Sequence, residues 1–234
     1  MNQGSKPRTR RPTLTPLRDD EDAALDGLER LLAVERFAAG LDHVHWFANV
    51  GRPLEATDIR AAENYLTAMG AVDVTIGLVP DWEAAAEAGE SPGFNTPWWE
   101  AEEMLRAGLT AHALEIVDES EFNLALTRLT ERASKSATMA AEEAIALSGV
   151  SDPELIRAAA GGAVQAWHLR ALVDLATESV GDEEIREEDL DAENDFGVED
   201  EAGEGSNHAF VHKFALFEAG RWPISVMGGT FHLF

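Results

Sequence analysis

The strongest constraint on the fold is a run of about 30 residues with helical periodicity, between Asp118 and Leu147. Asp118 and Glu121 form a capping-box-like start for a helix. Apolar residues then recur every three or four positions, which places them on one helix face: Phe122, Leu126, Leu129, Ala133, Ala137, Ala140 and Leu147. At about 1.5 Å per residue this helix is about 45 Å long, so we expect it to be the spine of the fold.

A second long helix is predicted directly after the first. Ser151, Asp152, Pro153 and Glu154 read as another capping box. The residues that then face inward at helical spacing are Leu155, Ala159, Ala163, Val164, Trp167, Ala171 and Leu175. Gly161 and Gly162 interrupt this helix, and each glycine is unfavourable by about 1 kcal/mol relative to Ala. We expect a neighbouring backbone to pack closely against them.

The first half of the chain predicts shorter elements. Spacing of apolar residues and Gly, Pro and Asn signals indicate helices over about 19–39, 59–69 and 96–117, a short helix after Asp81, an extended segment over 42–51 and a strand over 72–79. Thr96 and Pro97 are suited to the start of the third of these helices.

Three segments near the two ends differ in character from the rest. Residues 1–18 are basic and rich in Pro, and they predict a disordered basic arm. Residues 178–204 hold 14 acidic residues and one Arg, and they predict a disordered acidic insertion at about 178–207. From His208 onward the chain is apolar, with turn signals that predict an antiparallel meander over 209–217, 222–227 and 230–234.

The predicted fold is therefore α+β. It is mainly a helical bundle of about five helices with a C-terminal three- to four-stranded antiparallel sheet, in which residues 72–78 supply the fourth strand. A small sheet needs the helices for its core. Residues 19–234 are accordingly predicted to form one domain.

Charge limits the partners of the chain. It has 44 acidic and 18 basic residues, a net charge of −26. Such a surface repels nucleic acids and anionic membranes and favours a basic protein as partner. With no Cys, disulfides and thiolate chemistry are excluded. No run of about 18 apolar residues and no signal peptide is present, so we expect neither a membrane partner nor any location but the cytoplasm.

Metal binding is one alternative that the sequence leaves open. In an extended segment His43 and His45 would project to the same side and could share a divalent metal. Helical phase also aims Glu35 and Glu102 at the core, with His112 flanking the apolar face. These five residues would form the Glu/His site of a metal-dependent helical-bundle enzyme. A calcium-loop-like run over 189–200 departs from the EF-hand pattern at its fifth, sixth and twelfth positions.

The leading functional hypothesis is a non-enzymatic interaction module, such as an adaptor or an immunity-type inhibitor, that engages a basic partner. No nucleophile elbow, phosphate loop or dinucleotide motif is present. Trp99, Arg221 and Trp222 are the candidate binding residues, because exposed Trp and Arg are favoured interface anchors. A second alternative is an inhibitor that mimics nucleic acid with its acidic surface.

Overall fold

The computed structural model describes residues 31–177 and 207–234, apart from residues 33, 72 and 90–95. This part of the chain is mostly helical, with a small sheet near the C-terminal end. The basic arm at 1–18, the calcium-loop-like run at 189–200 and all but the last residue of the acidic insertion lie outside the described residues.

The described elements follow one another in this order along the chain. They are α1 (residues 34–39), a 3-10 turn (Gly40–His43), α2 (Ala56–Ala68), β1 (Thr75–Leu78), α3 (Trp82–Gly89), α4 (Thr96–Ile116), α5 (Glu119–Ser148), α6 (Pro153–Ala176), α7 (Ala209–Glu218), β2 (Pro223–Met227) and β3 (Thr230–Leu233). The predicted helices near 59–69, 81 and 96–117 are confirmed as α2, α3 and α4.

Helices α5 and α6 pack against each other, and α6 lies among the other helices. Asp118 caps α5 by accepting a 2.8 Å hydrogen bond from the Ser120 amide. Gly149 ends α5 in the left-handed conformation, with φ of 80°, and the short turn after it lets α6 pack back against α5. Asp152, rather than the predicted Ser151, caps α6, and its carboxylate accepts hydrogen bonds from the two amides that follow Pro153.

Helix α6 is buried on most of its circumference because it packs against α4, α5 and α7. Most residues predicted to face inward on α5 and α6 do so. Leu147 does not face inward: it lies in the last turn of α5, where its side chain is 83% exposed. Ala141 and Ile145 take the inward positions at that end.

The sheet is mixed, where an antiparallel meander was predicted. Its strand order is β1-β3-β2, with β1 parallel and β2 antiparallel to β3. Residues 209–217, predicted as the first strand, belong to α7 instead. The segment is rich in Ala and Phe, and burying Ala209, Phe210, Phe214 and Phe217 requires a helical repeat. The mostly helical class with a small C-terminal sheet is confirmed.

The prediction of an extended segment over 42–51 is wrong. Residues 40–43 form a 3-10 turn and residues 46–50 form further turns. Trp46 and Phe47, which belong to this segment, are both buried. In an extended chain, consecutive side chains point to opposite sides, so only one of the two would reach the core. His43 and His45 are both exposed.

Two apolar clusters flank the sheet. The larger joins α1, α3, α5, α6 and α7 and includes Trp222 and Phe234. The smaller joins α2, α7 and one sheet face, where Tyr65 packs against Phe231 with ring centroids 5.4 Å apart. Within the described parts of the chain, no helix has the length and hydropathy needed to cross a bilayer.

Candidate functional site

Arg221 is buried and stabilises the fold, so the prediction that it is an exposed interface anchor is wrong. Its side chain is 2% exposed, and its Nη2 donates 2.7 Å and 2.8 Å hydrogen bonds to the Asp58 carboxylate and the Pro53 carbonyl. Its Nη1 donates to the Asn49 and Arg52 carbonyls, the latter at 2.7 Å. Arg221 therefore ties the segment over 49–53 to the start of α2 and β2.

Trp222 is also buried, at 5% exposure, and offers no exposed anchor. Its indole lies beside α6 at Gly162, where a Cβ atom would come within 3.2 Å of Trp222 Nε1. The predicted close packing is therefore found at Gly162, but a side chain supplies it instead of a backbone. At Gly161, apart from its chain neighbours and the helix backbone, none of the described residues has an atom within 4 Å of the corresponding position.

Glu102 points inward as predicted, and the ammonium group of Lys213 neutralises its carboxylate. Its carboxylate accepts a 2.6 Å hydrogen bond from Lys213 Nζ and another from the Tyr65 hydroxyl. Tyr65 Oη in turn accepts a 3.1 Å bond from the Trp98 indole. Burial, and then the charge of Glu102, raise the pKa of the Tyr65 hydroxyl well above its ordinary value. This network joins α2, α4 and α7.

The five predicted metal ligands are not assembled into a site. Glu35 lies on the solvent-facing side of α1 and is exposed. The Glu102 carboxylate is already paired with the Lys213 ammonium group. His112 is exposed on α4, 3.4 Å from Glu115. Among the residues that the structure describes, no three His, Asp or Glu side chains are placed to hold a metal ion. His168 on α6 hydrogen-bonds to Thr130, and burial lowers the pKa of its imidazole.

Helix α4 has one apolar side that none of the described residues covers. Of its described side chains, Glu102 and Ala113 are buried, and both lie on the side toward the rest of the molecule. An exposed stripe lies opposite, within about 120° of arc at 100° per residue. We call it the open face of α4, and it consists of Met104, Ala107, Gly108, Ala111 and Leu114.

The exposed fractions on this face are large for apolar side chains. Met104 is 71% exposed and Leu114 is 41% exposed. A groove of about 510 Å³ runs along one edge of the face, between Met104 and Gly108 on α4 and Met69 at the end of α2. Contiguous exposed apolar surface of this kind marks interaction sites in soluble proteins.

Gly108 adds a separate observation at the middle of the open face. A glycine inside a helix is unfavourable by about 1 kcal/mol relative to Ala. At Gly162 the fold uses the missing side chain, because Trp222 occupies the space. At Gly108, apart from its chain neighbours and the helix backbone, no atom of the described residues lies within 4 Å of the position that a Cβ would take. Gly161 shares that property, but the exposed residues four positions before and after it, Arg157 and Gln165, are polar.

Carboxylates lie at both ends of the open face. Glu100 precedes it and Glu115 follows it, and both are exposed. They are 15 positions apart, or about 22 Å along the helix axis at about 1.5 Å per residue. Trp99 is 47% exposed as predicted for an anchor, but it lies about 140° around α4 from Met104. The sequence reasoning missed this face, although its stripe of Met, Ala, Gly and Leu was readable at helical spacing.

Comparison with known proteins supplies no assignment: no protein-family model, no curated protein and no solved structure matches this chain. The function has to be argued from the chain itself.

Proposed function

We propose that this protein is a non-enzymatic interaction module whose open α4 face binds a basic amphipathic helix of a partner protein. The observation that carries the proposal is Gly108, a helix-weakening residue at the centre of an exposed apolar face, where no other described element lies beside it. A glycine at such a position lets another helix backbone approach closely.

The charge of the surface specifies the partner further. Glu100 and Glu115 bracket the apolar stripe, and the whole chain carries a net charge of −26. A partner helix with apolar residues at helical spacing and a Lys or Arg at each end, about four turns apart, matches this pattern. Opposite charges at the ends set its register and speed its association.

The proposal is tested with designed helical peptides. The first peptide carries a small apolar stripe with Lys at both ends at the α4 spacing, and the second has Glu at those two positions. A third peptide keeps the composition of the first in scrambled order. We expect only the Lys-flanked peptide to bind, with an affinity that falls as salt is raised from about 0.1 M to about 1 M, because the Debye length shrinks from about 10 Å to about 3 Å.

Variants of α4 make the test specific. Gly108→Ala and Gly161→Ala should both raise the free energy of unfolding by about 1 kcal/mol, because both glycines are in helices with open space beside them. Only Gly108→Ala should weaken peptide binding, and Gly108→Leu should weaken it further. Fluorescence anisotropy of labelled peptides measures the affinity, and circular dichroism shows that the variants are folded.

The charge contribution has its own matched control. Glu100→Gln and Glu115→Gln should each weaken the Lys-flanked peptide by up to about fivefold, as expected for exposed ion pairs. Glu131→Gln removes an exposed carboxylate from α5 and should have no effect. Equal binding of all three peptides, or unchanged binding to Gly108→Leu, would rule the proposal out.

A further inference from the structure

His208 begins α7 and lies at the groove beside the open face of α4. Its imidazole Nδ1 accepts a 3.1 Å hydrogen bond from the Phe210 amide, so His208 is the N-cap of this helix. Most N-cap residues are Ser, Thr, Asp or Asn, whose side-chain oxygen accepts this bond throughout the neutral pH range. His208 also lines the groove, together with Met69 on the side of α2 and with Met104 and Gly108 on α4. One titratable side chain therefore serves both the start of α7 and the wall of the groove.

The capping bond fixes the protonation state of this imidazole. A ring nitrogen that accepts a hydrogen bond carries no proton, so the ring is neutral and its proton is on Nε2. None of the described residues accepts a hydrogen bond from Nε2, and none of their carboxylates forms an ion pair with the ring. A second proton would turn Nδ1 into a donor that faces the Phe210 N–H, which is also a donor. Protonation of His208 therefore breaks the cap, and no described carboxylate offsets the loss.

The groups around the ring oppose a positive charge. Burial, and then the His212 ring on α7 and the Arg170 guanidinium on α6, lower the pKa of His208 below its ordinary value of about 6.5. The positive end of the α7 dipole acts in the same direction. From α2 and α4 the groove presents apolar residues, among them Ala68, Met69, Ala101, Leu105 and Leu109. The uncapped chain thus binds the proton more tightly than the capped chain, and the cap is lost as the pH falls.

We infer that His208 makes the groove beside the open face of α4 sensitive to pH. A proton on the imidazole releases the start of α7 and places a positive charge at the groove wall. A basic partner helix is then repelled, so the open face binds it at neutral pH and releases it in mildly acidic solution. The part of this inference that concerns the partner rests on the proposed function, whereas the loss of the cap does not.

The cap is tested by two-dimensional NMR of the full chain between about pH 7.5 and about pH 5, the range in which histidine titrates. The ring proton resonances of His208 report its protonation. We expect the Phe210 amide resonance to shift with the same midpoint, and the protection of this amide against hydrogen exchange to fall by about fivefold, as for a lost N-cap. The amides of Val211 and His212 donate to the His208 carbonyl at 3.0 Å and 3.3 Å, so they show whether the first turn opens as well.

Two variants assign the titration. His208→Asn keeps a side-chain acceptor for the Phe210 amide but does not titrate in this range, so its Phe210 amide should stay protected. His212→Gln is the matched control, because it removes the neighbouring imidazole of α7 and leaves His208 in place. In this control the cap should still titrate, with its midpoint at a higher pH, since one positive neighbour of His208 is absent.

The Lys-flanked peptide tests the effect on the groove. When the pH falls from about 7.5 to about 5, its affinity for the parent chain should fall about two- to fivefold more than its affinity for His208→Asn, as expected for one like charge at a partly exposed site. His212→Gln should show the same excess loss as the parent chain. Fluorescence anisotropy at fixed ionic strength measures the four affinities for the parent chain and His208→Asn at the two pH values, and those of the control.

Several results would overturn the inference. A Phe210 amide that is unchanged while His208 titrates would mean that the imidazole is not the cap. An equal pH response in His208→Asn would assign the titration to another group, and an equal loss of peptide affinity in the two chains would separate His208 from the groove. Absence of peptide binding at every pH would overturn the proposed function and the partner part of the inference with it, while the Phe210 titration still decides the cap.

Discussion

The adjacent glycines of α6 make a sharp test of how its side chains pack. Gly161→Ala adds a Cβ that meets no other described element within 4 Å, so only the helix preference of Ala contributes. We expect this variant to raise the free energy of unfolding by about 1 kcal/mol. Gly162→Ala gains the same preference, but its Cβ would lie 3.2 Å from Trp222 Nε1.

Trp222 has little room to yield to that Cβ. Its ring lies 6.0 Å from the Trp82 ring and 6.4 Å from the Phe47 ring, measured between centroids, and its side chain is buried. Overpacking of this kind costs about 1–3 kcal/mol. Since the helix preference is common to both variants, Gly162→Ala should be less stable than Gly161→Ala by about 1–3 kcal/mol.

Urea denaturation followed by far-ultraviolet circular dichroism measures both variants against the parent chain. A double-mutant cycle with Trp222→Phe then tests the cause, because the smaller ring should remove most of the penalty of Gly162→Ala. If Gly162→Ala is as stabilising as Gly161→Ala, or if Trp222→Phe leaves its penalty unchanged, the packing argument is refuted.

Three further predictions concern the buried polar groups. Tyr65→Phe should lower the free energy of unfolding by about 1–2 kcal/mol in thermal denaturation, because Trp98 loses its acceptor while Glu102 keeps Lys213. Arg221→Lys should cost about 3–5 kcal/mol in the same assay, since an ammonium cannot reach the Asp58 carboxylate and three carbonyls together. Burial lowers the pKa of His168 below its ordinary value of about 6.5, so the unfolded chain binds more protons there and stability falls as the pH drops through this window. His168→Gln should therefore lose less stability than the parent chain between pH about 7.5 and about 5.5.

Each of these predictions has a result that contradicts it. An unchanged melting temperature for Tyr65→Phe would mean that the network joining α2 and α4 contributes nothing. Arg221→Lys with parental stability would show that the segment over 49–53 holds its conformation without the guanidinium. Burial raises the pKa of Asp174 and Glu218, and the effect of these two groups on the pH dependence of stability is opposite to that of His168. The pH result is therefore read only as the difference between His168→Gln and the parent chain.

The parts of the fold that were predictable are those fixed by local pattern. The long helix α5 and its Asp118 cap follow from apolar spacing and one capping residue. It was not predictable from composition that residues 209–217 form a helix and not a strand, because a short apolar run with Phe and Val suits either structure. Only the packing of Phe210, Phe214 and Phe217 under the rest of the chain decides between them.

The site residues divide in the same way. The inward direction of Glu102 follows from helical phase, but its neutraliser Lys213 lies 111 positions away. Arg221 was predicted to be a binding residue because exposed Trp and Arg are favoured interface anchors. Its burial depends on Asp58, 163 positions earlier, and on carbonyls that a turn alone does not orient. Partners so distant in sequence leave no local signal.

The strand order has a consequence for how the chain acquires its structure during synthesis. β3 is the last strand to be made, yet it lies between the other two, and β1 pairs only with it in the described sheet. On the ribosome, β1 therefore waits about 150 residues for its partner, while α5 and α6 can associate as soon as both have emerged. The helical hairpin is thus available early as a template, and the described sheet forms after it.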